Sequence, residues 1–215
     1  MTGSTAAQLR EVVDRIIAAG HWQPGDPRIL IVTDAGYDVT RLAFVLADLP
    51  VELVGRIRSD RVMLRPAPPR EPGTNGRPRK HGGVFTLADP DSWPTPEHTT
   101  DTDTTRYGHA QAQAWNRLHP RLTHRGSWLD HHGELPLVEG TVIRLQVQHL
   151  PGDRDPKPLW LWSSALDANA ELVDLLWQVF LRRFDLEHTF RLLKQPSGGP
   201  APNCAHPPRP TAGPG

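Results

Sequence analysis

"ILIVTDAGYD", Ile29 to Asp38, is the stretch from which the fold follows. Apolar and β-branched residues run unbroken from Ile29 to Thr33, and then the run stops on Asp34. Gly36, an aromatic and a second acid, Asp38, follow at once. A continuous apolar run of this kind is the pattern of a strand covered on both faces, as parallel strands are. A carboxylate at its end has two readings. Asp34 caps the helix that follows, or it holds a metal ion at the carboxyl end of a parallel strand, where open α/β sheets place their chemistry.

The flanks of this stretch extend the pattern. "VTRLAFVLADL" reads as an amphipathic helix closed by Pro50, and "VELVGRIR" as a second strand rich in β-branched residues. Strand, short helix and strand imply a right-handed crossover and a parallel pair. Upstream, Leu9, Val12, Val13, Ile16 and Ile17 recur at helical spacing, with Ser4 or Thr5 as cap and Gly20 as stop. Together these form a first section, residues 1–58.

Residues 59–165 read differently. They open on "RVMLRPAPPREPGTNGRPRKHGG", a basic loop rich in proline and glycine that makes a poor core and a good exposed segment. "TVIRLQVQHL" alternates as a strand does and "PLWLWSS" reads as another short strand, while "GHAQAQAWNRLHP" fits a short helix or a strand. The section is expected to be a β-rich insertion. Residues 166–195 hold the strongest helix signal, "NAELVDLLWQVFLRRFDLEHTFRLLKQ", with a sustained apolar stripe and neither glycine nor proline. Residues 196–215 turn to proline and glycine, a composition that cannot bury a core and is expected to be disordered.

Composition narrows the function. Formal net charge is zero, so bulk charge announces neither nucleic acid nor membrane. The single cysteine, Cys204, excludes an internal disulfide. The N-terminal residues lack the pattern of a secretory signal, and no apolar run nears the roughly 20 residues that span a bilayer. A soluble, cytoplasmic protein is expected.

The long helix carries the second constellation. Phe180, Arg183, Glu187 and Lys194 fall within a sector of roughly 60° at about 100° per residue, so they share one face. Taken alone, Arg183 and Glu187 also make an ordinary i,i+4 pair on a solvated face. The same residues, joined to the Asp-terminated strand, resemble the insertion-sequence transposases of the DDE class, which carry Tyr, two residues, Arg, three residues, Glu, six residues, Lys. Here "FLRRFDLEHTFRLLK" has those separations, with Phe180 in place of the tyrosine. The basic end of the second strand, "GRIRSDR", and a β-rich insertion before the Glu-bearing helix are similar to one branch of that family.

The resemblance implies an α/β fold with an RNase H-like core and two-metal phosphoryl transfer on DNA. It implies Asp34 and Glu187 as catalytic acids that hold Mg²⁺, a hard cation suited to carboxylate oxygens. Arg183 and Lys194 would contact DNA phosphates, and Arg77, Arg79 and Lys80 of the basic loop fit the same role. Asp38 reads as a local cap or a surface acid rather than a ligand, His131 and His132 as a polar loop, and the tryptophans of "PLWLWSS" as packing. In the family a first acid lies on strands that precede the first helix; Asp14 and Asp26 are not placed for that role. The chain is therefore expected to be a truncated, inactive copy that lacks this acid. The alternative is a DNA-binding remnant without catalysis, or a degenerate reading frame. A lone parallel pair with an open apolar edge is expected to self-associate.

Overall fold

A computed structural model describes residues 2–70, 72, 73, 75–150 and 155–194; for the helical residues 2–4 and 184–194 it describes the backbone alone. The apolar run becomes β1 (Ile29–Thr33). It pairs in parallel with β2 (Val51–Ile57), Ile29 opposite Val51 through Thr33 opposite Gly55, and α2 (Val39–Val45) connects the two. Side chains alternate along a strand, and β1 uses both sides. Leu30 and Val32 pack into a core shared with the last helix, α3 (Ala170–Lys194). Ile29 and Ile31 pack into a second core with Val13 of α1 (Thr2–Ala18) and Leu42 of α2. That double covering is why the run shows no polar alternation.

The parallel pair is not a two-stranded remnant, contrary to the sequence expectation. The free edge of β2 is taken by β8 (Leu159–Ser163), antiparallel, from Val54 opposite Ser163 to Ile57 opposite Trp160. β8 pairs with β7 (Gly140–Val147), and β7 with the long β6 (Gly108–Pro120). β6 takes β5 (His98–Thr104) along its first half. At its end it takes β3 (Val62–Leu64), which forms a hairpin with β4 (Val84–Thr86). Among the described residues, 59–165 thus supply six of eight strands, and they continue the sheet that β1 and β2 begin. The architecture is mixed α/β, among the described residues three α-helices with a mostly antiparallel sheet, and is consistent with an RNase H-like fold. β1 is an outer strand: among the described residues its second edge pairs with nothing.

α3 lies across the sheet on a stripe at helical spacing. Val173, Leu176, Trp177, Phe180 and Leu181 are all buried. Each large apolar side chain removed from water contributes roughly 1.5–3 kcal/mol. Polar contacts then fix the helix's rotation and height. Asp174 accepts from Thr100 Oγ1 (2.6 Å) and Thr102 Oγ1 (3.0 Å) of β5 and from Trp177 Nε1 (2.8 Å). Tyr107 Oη donates to the Leu181 carbonyl at 3.3 Å, and Asn169 caps the helix by accepting from Leu172 N. On the opposite face Phe85, Trp93, Trp115 and Trp160 cluster, and Trp160 and Trp162 are core residues, as their packing role in the sequence suggested. The proline- and glycine-rich tail, 196–215, lies outside the described residues.

Candidate active site

Strand alternation decides where Asp34 goes. Val32 faces α3, so Thr33 faces α2 and Asp34, the first residue past the strand, returns to the α3 side. Arg183 meets it there: Nη2 lies 3.3 Å from Asp34 Oδ1. Arg183 stands three residues beyond the buried Phe180, at the margin of the apolar stripe, with its guanidinium 5.5 Å from that ring. The arginine side chain is 18% exposed and the aspartate 52%, so the cation is held from the protein side while the carboxylate meets solvent.

The Asp34 carboxyl titrates below its usual range. The backbone N–H of Ala35, 2.6 Å from Oδ1, is the main cause, and Arg183 and Arg56 add to it. Both close contacts fall on Oδ1; among the described residues Oδ2 has no partner. An ionised carboxylate with one oxygen still available is a fitting donor for a hard divalent cation.

The two readings of Asp34 separate in the structure, because the cap of α2 is Asp38. Its Oδ1 accepts from Arg41 N at 3.2 Å and from Thr40 Oγ1 at 2.6 Å. Ser127 Oγ donates to its other oxygen. Burial pushes the Asp38 carboxyl up, but the bonds from Ser127, Thr40 and Arg41 N, with the charge of Arg61, hold it below the ordinary range.

Two features stand beside Asp34, of which the first was not singled out in the sequence and the second was read there only as a basic strand end. The first is Gly55. A Cβ at that position would overlap Thr33 Oγ1 and come within 3.1 Å of Val39 Cβ, so the glycine is the notch that seats the residue before Asp34. The second is a basic wall at the end of β2. A cleft of about 500 Å³ runs between Ala35 and residues 56–60, with Arg56 and Arg58 on it. Arg58 is taken by Asp60, at 3.0 and 2.5 Å, whereas Arg56 acts on Asp34 through its charge. The signal for Arg56 was the basic ending of "VGRIR".

Of the other sequence candidates, Glu187 and Lys194 belong to α3, but their side chains lie outside the described residues. Glu187 occupies the helical position one turn beyond Arg183, about 6 Å along the axis. Arg77, Arg79 and Lys80 sit on a separate surface, the loop between β3 and β4; Lys80 Nζ bonds Glu134 Oε1 at 3.0 Å and the Leu135 carbonyl at 2.9 Å. His131 packs against Phe44 and Trp128 and bonds the Glu134 carbonyl through Nε2. Among the described residues no group of three or more His, Cys, Asp or Glu is gathered for a metal, and no helix is long and apolar enough to cross a membrane.

No curated protein and no solved structure matches the chain. One family model does: that of the DDE superfamily endonucleases, over residues 2–121. The match takes in Asp34 and the basic end of β2 and stops well before α3.

Proposed function

Because the chain belongs to the DDE superfamily endonucleases, we propose that it serves DNA strand cleavage and transfer in transposition, with Asp34 and Glu187 as catalytic acids. The observation that carries this reading is the Arg183–Asp34 contact. The family match reaches Asp34 alone, and the Arg-Glu-Lys spacing concerns α3 alone. The two meet in space at 3.3 Å, with no shared sequence to bring them there. Asp34 and Glu187 would hold Mg²⁺, which when bound stabilises the attacking and leaving oxygens on phosphorus.

The chain's own residues have definite tasks in this reading. Arg183 offsets the charge of Asp34 and keeps the carboxylate ionised and oriented. Arg56 and Lys194 supply charge to backbone phosphates, which positions a strand without reading its sequence. Phe180 buries the base of the arginine that does the orienting. The resemblance calls for one further acid, on a strand that would pair along the open edge of β1. That acid would complete the metal-holding set, and the open edge of β1 favours self-association.

Titration with Mn²⁺ tests the metal site directly. Binding that weakens at least about tenfold in both Asp34→Ala and Glu187→Ala supports the proposal, in line with the loss of a ligand. A site indifferent to both substitutions overturns it. Supercoiled-plasmid nicking with Mg²⁺ then separates two outcomes. Nicking above the Glu187→Ala background means that the protein assembles a complete set of acids. Equal background leaves a DNA-binding protein without catalysis.

A further inference from the structure

The loop 65–83 between β3 and β4 carries Arg70, Arg77, Arg79 and Lys80, and by sequence the last three look alike. The structure treats them differently. The loop's returning limb is pinned at four successive residues. Lys80 spends two of its three donors on Glu134 and on the Leu135 carbonyl. His81 Nδ1 lies 2.9 Å from Nε2 of His119, a fully buried residue near the end of β6. Gly82 N donates to the Arg65 carbonyl at 2.8 Å, and the Gly83 carbonyl accepts from Arg65 N at 2.9 Å. Neither glycine has room for a Cβ, since Pro66 O and the Arg65 guanidinium occupy the space.

The outer cations are not used in this way. Arg77 and Arg79 are exposed and make no hydrogen bond or ion pair among the described residues. They line a cleft of about 550 Å³ together with Arg70 and the prolines Pro68, Pro69 and Pro78. Proline limits how far such a loop collapses, so the guanidiniums stay presented. A concave, exposed set of arginines fits backbone phosphate, for which the planar guanidinium is suited.

We propose that Arg77 and Arg79 are the loop's contacts to the phosphates of duplex DNA, and that Lys80 is instead a latch that fixes the loop's stem to residues 134–135. This rests on DNA being the substrate, as argued above. The test is anisotropy of a labelled 30-base-pair duplex, titrated from about 50 to 300 mM KCl with no divalent ion present. Each phosphate contact adds about 0.9 to the slope of log K against log salt. Arg77→Ala and Arg79→Ala are each expected to lower the slope by about that amount. Lys80→Met and Glu134→Gln are expected to leave the slope unchanged. Each should speed amide exchange across 65–83, and the double variant should add nothing beyond either one.

A slope drop of about 0.9 in Lys80→Met, with exchange unaffected in Glu134→Gln, overturns the latch. No change of slope in either arginine variant overturns the contacts. The Mn²⁺ titration does not involve this loop, so failure here and failure of the Asp34 site are told apart.

Discussion

Gly55→Ala is the sharpest probe of how the fold sets Asp34. The alanine methyl would stand inside the van der Waals surface of Thr33 Oγ1, and at 3.1 and 3.2 Å from Cβ and Cγ2 of Val39. Carbon pairs prefer about 3.5–4.0 Å, so α2 must retreat by several tenths of an ångström and Thr33 by more. Both neighbours are rigid. Val39 is buried in the first turn of α2, and Thr33 is buried within a paired strand. Overpacking of this kind costs about 1–3 kcal/mol. It should appear as a lower denaturant midpoint at unchanged m-value.

The functional effect should exceed what stability alone predicts. Thr33 is bonded directly to Asp34, and a misplacement of about 1 Å at a reacting group can cost roughly 100-fold. Mn²⁺ affinity in Gly55→Ala is therefore expected to fall at temperatures where the protein remains fully folded. A double-mutant cycle isolates the cause. Among the described residues Thr33 Oγ1 is buried without a hydrogen-bond partner, so Thr33→Ala removes the obstacle and breaks no hydrogen bond there. The pair Gly55→Ala with Thr33→Ala should recover at least about 1 kcal/mol relative to additivity. If Gly55→Ala matches the parent in midpoint and in Mn²⁺ affinity, or if the cycle is additive, the notch does not position the site.

The remaining predictions address the scaffold. Asp174→Ala removes the acceptor for Thr100, Thr102 and Trp177; bonds to a charged group are worth about 1.5–3 kcal/mol each, so a loss of at least about 2 kcal/mol is expected by chemical denaturation, with weakened protection of α3 amides. Asp38 sets an acid limit. Its folded carboxyl titrates below the usual 3.8, so its contribution is complete above that value and is lost as pH falls through the lower folded one; Asp38→Asn should flatten the stability profile in that acid window and leave it parallel near neutrality. Leu30→Pro tests the open edge of β1. Ile29 N donates to the Pro50 carbonyl, toward β2, so alternation turns the Leu30 N–H outward. Proline there is tolerated on an outer edge, and sedimentation should show concentration-dependent association reduced relative to the parent.

What was legible in the sequence was what short-range chemistry dictates. The apolar run at Ile29, the crossover to β2 and the stripe of α3 all appear where their periods placed them. α2 ends earlier than its pattern, at Val45, because residues 46–50 form a turn that brings Pro50 to bond Ile29. β6 was ambiguous for a physical reason. Its core face is Ala110, Ala112 and Ala114, and alanine favours helices, while the glutamines between them lie half-buried. Only tertiary pairing with β5 and β7 resolves the choice. β5 itself, "HTTDTDT", has no apolar signal; it is a strand because its hydroxyls reach Asp174 and its backbone reaches β6. Partners distant in sequence, such as β2 with β8, leave no trace in a single chain read by pattern. Gly55 escaped for the same reason, since its role exists only relative to Thr33.

The site can be argued more tightly than any of its motifs because of how α3 is fixed. A helix of 25 residues resting on an apolar stripe could slide by a turn, about 5.4 Å, at modest cost in buried area. Such a slide would carry Arg183 away from Asp34. The stops against sliding are polar and directional: Asp174 against Thr100 and Thr102, and the Leu181 carbonyl against Tyr107. All lie N-terminal to Arg183 and none touches Asp34. The register of the helix is thus set by β5 and the β5–β6 connection. The Arg183–Asp34 contact is then a consequence of that register rather than a cause of it. A single ion pair whose carboxylate meets solvent, worth roughly 1 kcal/mol, could not have chosen the register for itself. A helix held by stops elsewhere, yet delivering its arginine to the acid that ends β1 and its next turn to Glu187, has a geometry that its own stability does not require. It is the geometry that the proposed pairing of Asp34 with Glu187 calls for.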